Sequence, residues 1–201
     1  MIPKSLLNLN GDLMVAVDTE TTGLIPGYHE IIQIAVVPLD SEFKEHEGLR
    51  PFYMNIAPDH PDRQSGAANV HGIDMDVLLS SPSQESAADM FDEWFINLEL
   101  PYGKRLVPLA HNWAFERSFL LHWLGLKTYS ELWSGHPRDT MIFGLTLNDL
   151  AAWHGKECPF QYLSLTKMCK KMGIELLDAH DALADCLATA ALYREMIRLF
   201  H

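Results

Sequence analysis

Apolar positions follow two different rhythms along this chain. Residues 12–18 and 31–39 ("IIQIAVVPL") are short apolar runs, partly β-branched, which predicts strands. Gly23, Pro26 and Gly27 punctuate the link between them. A third strand is expected within 47–56 ("EGLRPFYMNI"), and three successive strands with short links favour antiparallel pairing. The rhythm then turns helical. Ser81-Pro82-Ser83-Gln84 reads as a helix start, with Ser81 as N-cap, Pro82 at the first position and Gln84 closing a capping box. This helix should run to about Asn97. Residues 105–111 ("RLVPLAH") predict a fourth strand, with Pro108 marking an edge or an irregularity. A helix over 113–124, a short strand around 138–140 ("RDT") and helices over 141–153, 163–172 and about 180–200 complete the pattern. Three strands followed by strand–helix alternation predict an α/β fold: a mixed five-stranded sheet flanked by helices, in one domain over 1–201.

Composition narrows the class. A hydrophobic content of 48% with 21% charged residues is ordinary for a soluble globular protein. No apolar run approaches the roughly 20 residues of a membrane helix, and "MIPKSLLNLNGD" is too broken by polar residues for a signal peptide. A soluble, cytoplasmic protein with no membrane partner is expected. Cys158, Cys169 and Cys186 are far apart and form no C-x-x-C pair, which predicts three reduced, at least partly buried thiols rather than a zinc or redox site. The net charge of -12 argues against non-specific nucleic-acid binding through a basic surface. It remains compatible with a local basic patch, or with a site whose bound cations reverse the field.

Candidate chemistry begins with Asp18 and Glu20, at the end of the first strand. Residues i and i+2 of a strand share a face, so both carboxylates project together if the strand continues that far. Partly burying them costs on the order of several kcal/mol per ion unless protons, arginines or a metal compensate. The plain alternative is that the strand ends and both acids are solvated. A third acid, Asp185, lies in the helical stripe Ala182, Asp185, Thr189, Leu192, Met196. The opposite stripe, Leu183, Cys186, Leu187, Ala190, Tyr193 and Ile197, is also largely apolar, so this helix is expected to be covered on both sides. His180 converges with Asp185 only if it precedes the helix start, for which Asp178 is a candidate N-cap and Asp181 an acid favoured by the helix dipole. In "HNWAFERSFL", Asn112 and Glu116 stack on one face of a helix, with Phe115 and Phe119 on the other side. Taken alone, Glu116 reads equally well as a surface acid paired with Arg117.

Together these residues resemble the DEDDh family of 3′–5′ exonucleases. "DTETTGL" (18–24), "HNWAFE" (111–116) and "HDALAD" (180–185) are similar to its three motifs, in order, and "VHGI" (70–73) and "RDT" (138–140) to further elements. The resemblance covers roughly residues 12–198 and implies an RNase H-like fold. It implies Asp18, Glu20, Glu116 and Asp185 as ligands of two divalent cations, Mg2+ or Mn2+, whose hardness suits carboxylate oxygens. It implies His180 as the general base. Thr21, Leu24, His71 and Asn112 are implied substrate contacts. The implied substrate is a single-stranded DNA or RNA 3′ end, cut to 5′-mononucleotides, and the implied partner a polymerase or another replication or repair protein. Lys167, Lys170 and Lys171 share one helix face and could meet phosphates or form a solvated face. One position departs from the family: Glu116 stands where Asp is usual. Two alternatives therefore stay open, a weakly active or inactive nuclease-like module binding nucleic acid or a polymerase, and a hydrolase of small phosphodiesters.

Overall fold

Alternation along β1 (Leu13–Thr21) sets the architecture. Val15 and Val17 enter one core, Met14 and Ala16 another, because successive side chains of a strand point to opposite faces. The computed structural model describes residues 9–63, 72–176 and 179–199. Around β1 it places β2 (Ile31–Pro38), β3 (Phe52–Asn55), β4 (Leu106–Ala110) and β5 (Arg138–Asp139), in the spatial order β3-β2-β1-β4-β5. The first three strands pair antiparallel, and β4 and β5 add in parallel on the other side of β1. This is the expected mixed sheet of the RNase H-like kind.

Among the described residues, six α-helices accompany the sheet: α1 (Met75–Leu79), α2 (Gln84–Asn97), α3 (Trp113–Leu132), α4 (Thr140–Trp153), α5 (Leu165–Lys171) and α6 (Ala182–Arg198). One sheet face is covered by α2 and α3, through Phe91, Phe119 and Leu120. The other face receives α6, whose small side chains Ala182, Cys186 and Ala190 let the helix lie close to the sheet. The far side of α6 packs Ala188, Leu192 and Met196 against Leu147 of α4 and Met168 of α5. The helix is thus covered on two sides, although Leu187 is exposed. Among the described residues, no helix is long and apolar enough to cross a membrane.

Several local expectations are corrected. The N-cap of α2 is Ser83, not Ser81, and its hydroxyl accepts from the Ser86 N–H at 3.3 Å. Ser81 instead donates to the Val77 carbonyl at the end of α1, a helix the hydrophobic pattern did not predict. Gln84 closes no capping box. Its amide donates to the Ile31 and Ala57 carbonyls and ties α2 to the start of β2. Pro108 sits inside the sheet, yet the irregularity is real. Leu106, two residues earlier and so facing the same way, accepts from the Ser134 N–H on the β5 side, and β5 pairs only with Leu109 and Ala110. The N–H that proline lacks therefore falls in a gap between partners. The helix after β4 extends beyond 124 by breaking at Gly125 (φ 73°, ψ 159°) and resuming to Leu132. Cys158 is exposed, while Cys169 and Cys186 are buried free thiols.

Candidate active site

Asp18 and Glu20 continue the even-numbered side of β1 set by Met14 and Ala16, so they project on the side where α6 lies. β1 runs on to Thr21 and pairs with β2 from Val15 to Thr21, with a register shift between Glu20 and Thr21. The strand does not end at Asp18, and both acids are only partly exposed. Because β1 and β4 are parallel, their carboxyl ends open on one edge of the sheet. There the chain leaves β4 through Asn112, in the left-handed region (φ 75°), and enters α3. Asp139 fixes this turn: its carboxylate accepts from the Asn112 and Trp113 N–H groups at 3.3 and 2.8 Å, and from Met141 and Ile142 at the start of α4. Glu116, one turn into α3, is 4% exposed, so it is not a surface partner of Arg117.

The start of α6 brings the remaining groups. Asp181 is its N-cap, accepting from the Leu183 and Ala184 N–H groups. His180 precedes the helix, exposed and in the left-handed region (φ 73°). This non-helical residue is what lets it meet Asp185, whose Oδ2 accepts the His180 N–H at 3.4 Å. Ligand atoms of Glu20, His180 and Asp185 all lie within 4.8 Å of one another. A polar brace holds this helix start to the sheet. Gln33 of β2 is buried; its amide donates to Asn55 and Tyr53, and its oxygen accepts the Ala182 N–H at 2.8 Å. The Tyr53 hydroxyl donates to Asp181.

The electrostatics are those of crowded acids. Burial, then the Glu116 and Asp185 charges, push the Asp18 carboxyl well above its ordinary range. Burial and the charges of Asp185 and Asp181 push Glu20 up to about 8. Burial raises Glu116, as do Asp139 and Glu20. Burial also raises Asp185, against the lowering contribution of His180. The charges acting on Asp18 and Glu20 are all carboxylates. Asp185 Oδ1 and Glu116 Oε2 are buried without a hydrogen-bond partner among the described residues. Orphaned anionic oxygens, mutual repulsion and a donor set dominated by carboxylates fit divalent cations of the hard kind.

The predicted acids thus come together, with His180 at their rim. Thr21 is buried, pairs with Ile31 at the end of β1, and its hydroxyl is committed to the Gly23 carbonyl at 2.6 Å. Leu24 is 78% exposed, in a loop tied by Thr22–Glu30 and Ile25–His29 hydrogen bonds. Asn112 places its backbone beside Asp139 and makes no side-chain cap. His71, and with it half of "VHGI", lies outside the described residues, as does the candidate cap Asp178. Gln33, Tyr53 and Asp139 were not among the predicted site residues. Gln33 carried a signal: it is the one polar residue in "IIQIAVV", a strand buried along its whole length.

A family model described as an exonuclease (RNase T) matches residues 15–193. The PolC-type DNA polymerase III of Staphylococcus epidermidis is 28% identical over 196 residues, covering 95% of this chain and 12% of the polymerase. That of Staphylococcus aureus is 28% identical over 189 residues, covering 92% and 11%. The chain therefore spans about one eighth of the length of these relatives. Among solved structures, E. coli Exonuclease I in complex with a dT13 oligonucleotide aligns with a TM-score of 0.72 at 22% identity, over 94% of this chain and 42% of that one. The cell-death related nuclease CRN-4 aligns with a TM-score of 0.65 at 19% identity, over 94% and 64%. At these identities the structures speak to the fold.

Proposed function

Because this chain belongs to the exonuclease family, as a 3′–5′ exonuclease of the DnaQ-like kind, we propose that it removes 5′-mononucleotides from the 3′ end of a single strand, using two Mg2+ or Mn2+ ions held by Asp18, Glu20, Glu116 and Asp185. The observation that carries this reading is the convergence of those four acids with two orphaned, buried oxygens. The bound ions supply Lewis acidity and offset the charge that develops on the phosphate. The chain's own residues do the rest. Asp18, on β1, and Asp185, on the first turn of α6, set the carboxylate geometry. His180 takes the proton from the attacking water. Its exposure at the rim and its left-handed backbone leave the imidazole free to turn toward the scissile bond. The braced loop after Glu20 presents Leu24 to the terminal bases.

Glu116 keeps the role of the usual aspartate with one more methylene of reach. Its burial and its place in the electrostatic cluster support an active site rather than a vestige. A single strand is the natural substrate, because an end must thread to the acids. The dT13 complex of the Exonuclease I structure is consistent with that choice, and the PolC-type relatives point to a polymerase as partner.

The test is a time course on 3′- and 5′-labelled DNA and RNA, with Mg2+, Mn2+ or a chelator. A 3′ label released first as a mononucleotide, only with a divalent ion, is the expected result, lost in His180→Ala. Cleavage of a chromogenic phosphodiester with oligonucleotides left intact would favour a small-molecule hydrolase instead. Strand binding without any cleavage would favour an inactive binding module.

A further inference from the structure

Away from the carboxylates lies a groove of about 600 Å³ between the segment 157–162 and α5. Lys167, Lys170 and Lys171 line one wall, and Phe160 and Tyr162 stand on the other. All three lysines are exposed, and none is in an ion pair among the described residues. Three of the chain's 15 basic residues thus converge on one groove in a protein of net charge -12. Glu157 is the one acid in the lining.

The wall opposite the lysines is held in place. Asn148 of α4 clamps the Phe160 backbone from both sides, donating to its carbonyl at 2.7 Å and accepting its N–H at 2.9 Å. Phe160 is buried, whereas Tyr162 is 63% exposed and offers its ring to the opening. The groove is also tied to the site. His111, the residue before Asn112, hydrogen-bonds the Thr140 hydroxyl and the Leu163 backbone, and α5 packs on α6, which carries Asp185. Lysines at i, i+3 and i+4 repel one another, and a polyanion laid along them relieves that repulsion. The helix dipole favours Lys170 and Lys171 in the last turn but has no hold on Lys167 or Tyr162.

We propose that this groove binds the phosphates of the substrate strand upstream of the 3′ end, with Tyr162 stacking on a base. The proposal rests on the exonuclease reading and answers its main electrostatic difficulty: the lysine track supplies a local cationic grip in a protein of net charge -12. Phosphate contacts of this kind position the strand without reading its sequence.

The test is fluorescence anisotropy of a 5′-labelled 12-nucleotide thymidine strand and of a labelled dinucleotide. Both are titrated in Ca2+ across a range of salt, against the native chain, K167Q/K170Q/K171Q, K167R/K170R/K171R and Tyr162→Ala. Each lost phosphate contact on a single strand lowers the log–log salt slope by about 0.7, so the triple glutamine variant should lose about 2 from its slope. Its affinity for the long strand should fall tenfold or more at low salt, with the dinucleotide unaffected. The arginine variant should keep the slope, and Tyr162→Ala should weaken binding without changing it. An unchanged slope and affinity in the glutamine variant overturns the proposal. So does an equal loss for both ligands, or a loss confined to an acidic peptide titrated in parallel. Cleavage assays separate the two readings: a native chain that cuts nothing but shows the slope change loses the exonuclease reading and keeps the groove.

Discussion

The oxygen of Gln33 accepts the backbone N–H of Ala182 at 2.8 Å, across 149 residues of sequence. Through this bond the middle of the sheet sets where α6 begins, and so where His180 and Asp185 stand. Gln33→Ala leaves a buried N–H unpaired, at a cost of about 1–3 kcal/mol. It should lower kcat by roughly tenfold with little change in KM, because the displaced group is the reacting constellation rather than the strand contacts. Urea melts and steady-state kinetics measure the two effects, and an unchanged kcat would remove the positioning role.

Asp18 pits stability against activity. Its carboxyl is held in the folded chain by a site that resists its charge. Asp18→Asn should abolish cleavage while raising the melting temperature of the chelator-treated protein, because the amide brings no charge into a site that resists one. Scanning calorimetry in chelator, beside an activity assay in Mg2+, checks both halves. A lower melting temperature would mean that Asp18 is stabilised by something other than a cation.

The pH dependence follows from Glu20, raised from an ordinary 4.5 to about 8. Folding favours the protonated form, so without a divalent ion the folded state binds more protons than the unfolded one. Stability contributed by this group is therefore present below about 4.5 and lost as pH rises toward about 8. The chelator-treated protein should melt at progressively lower temperature across that window. Added Mg2+ should restore the loss more at pH 8 than at pH 5, with proton release on binding visible by calorimetry in buffers of different ionisation enthalpy. A melting temperature that rises with pH in chelator contradicts this.

Glu116→Asp restores the residue type usual in the family. It should preserve or raise cleavage, at a cost of about 0.8 kcal/mol for the buried methylene. A large loss of activity would show instead that the local backbone is fitted to the longer side chain. Comparing kcat in Mg2+ and Mn2+ decides between these outcomes.

The sheet was legible because β1 and β2 are apolar runs bounded by turn residues, and because Asp18 and Glu20 obey the two-residue period. Asp185 stood out as an acid in an apolar helical stripe. What the sequence concealed were contacts between distant segments. The start of α2 was misplaced by two residues because Ser81 and Ser83 offer equivalent local chemistry, and only the packing of α1 decides between them. Pro108 signalled an irregularity without revealing that the neighbouring strand is too short to notice the missing N–H. The roles of Gln33 and Tyr53, and the hold of Asp139 on the Asn112–Trp113 turn, are tertiary. None has a local pattern that names its partner, although a glutamine inside a buried strand announces that one must exist.

The three thiols are sorted by their surroundings into one available and two sealed. Cys186 lies beneath the acids, its Sγ against the Ala35 carbonyl, and burial with the charges of Asp18 and Asp185 holds it far from the thiolate. Burial pushes Cys169 up to about 11. A maleimide dye at neutral pH therefore has a single target in the native fold, Cys158. That residue sits on the lip of the lysine groove. The chain carries its own attachment point for a fluorophore, placed where an arriving strand would change the dye's environment, with no engineered cysteine required.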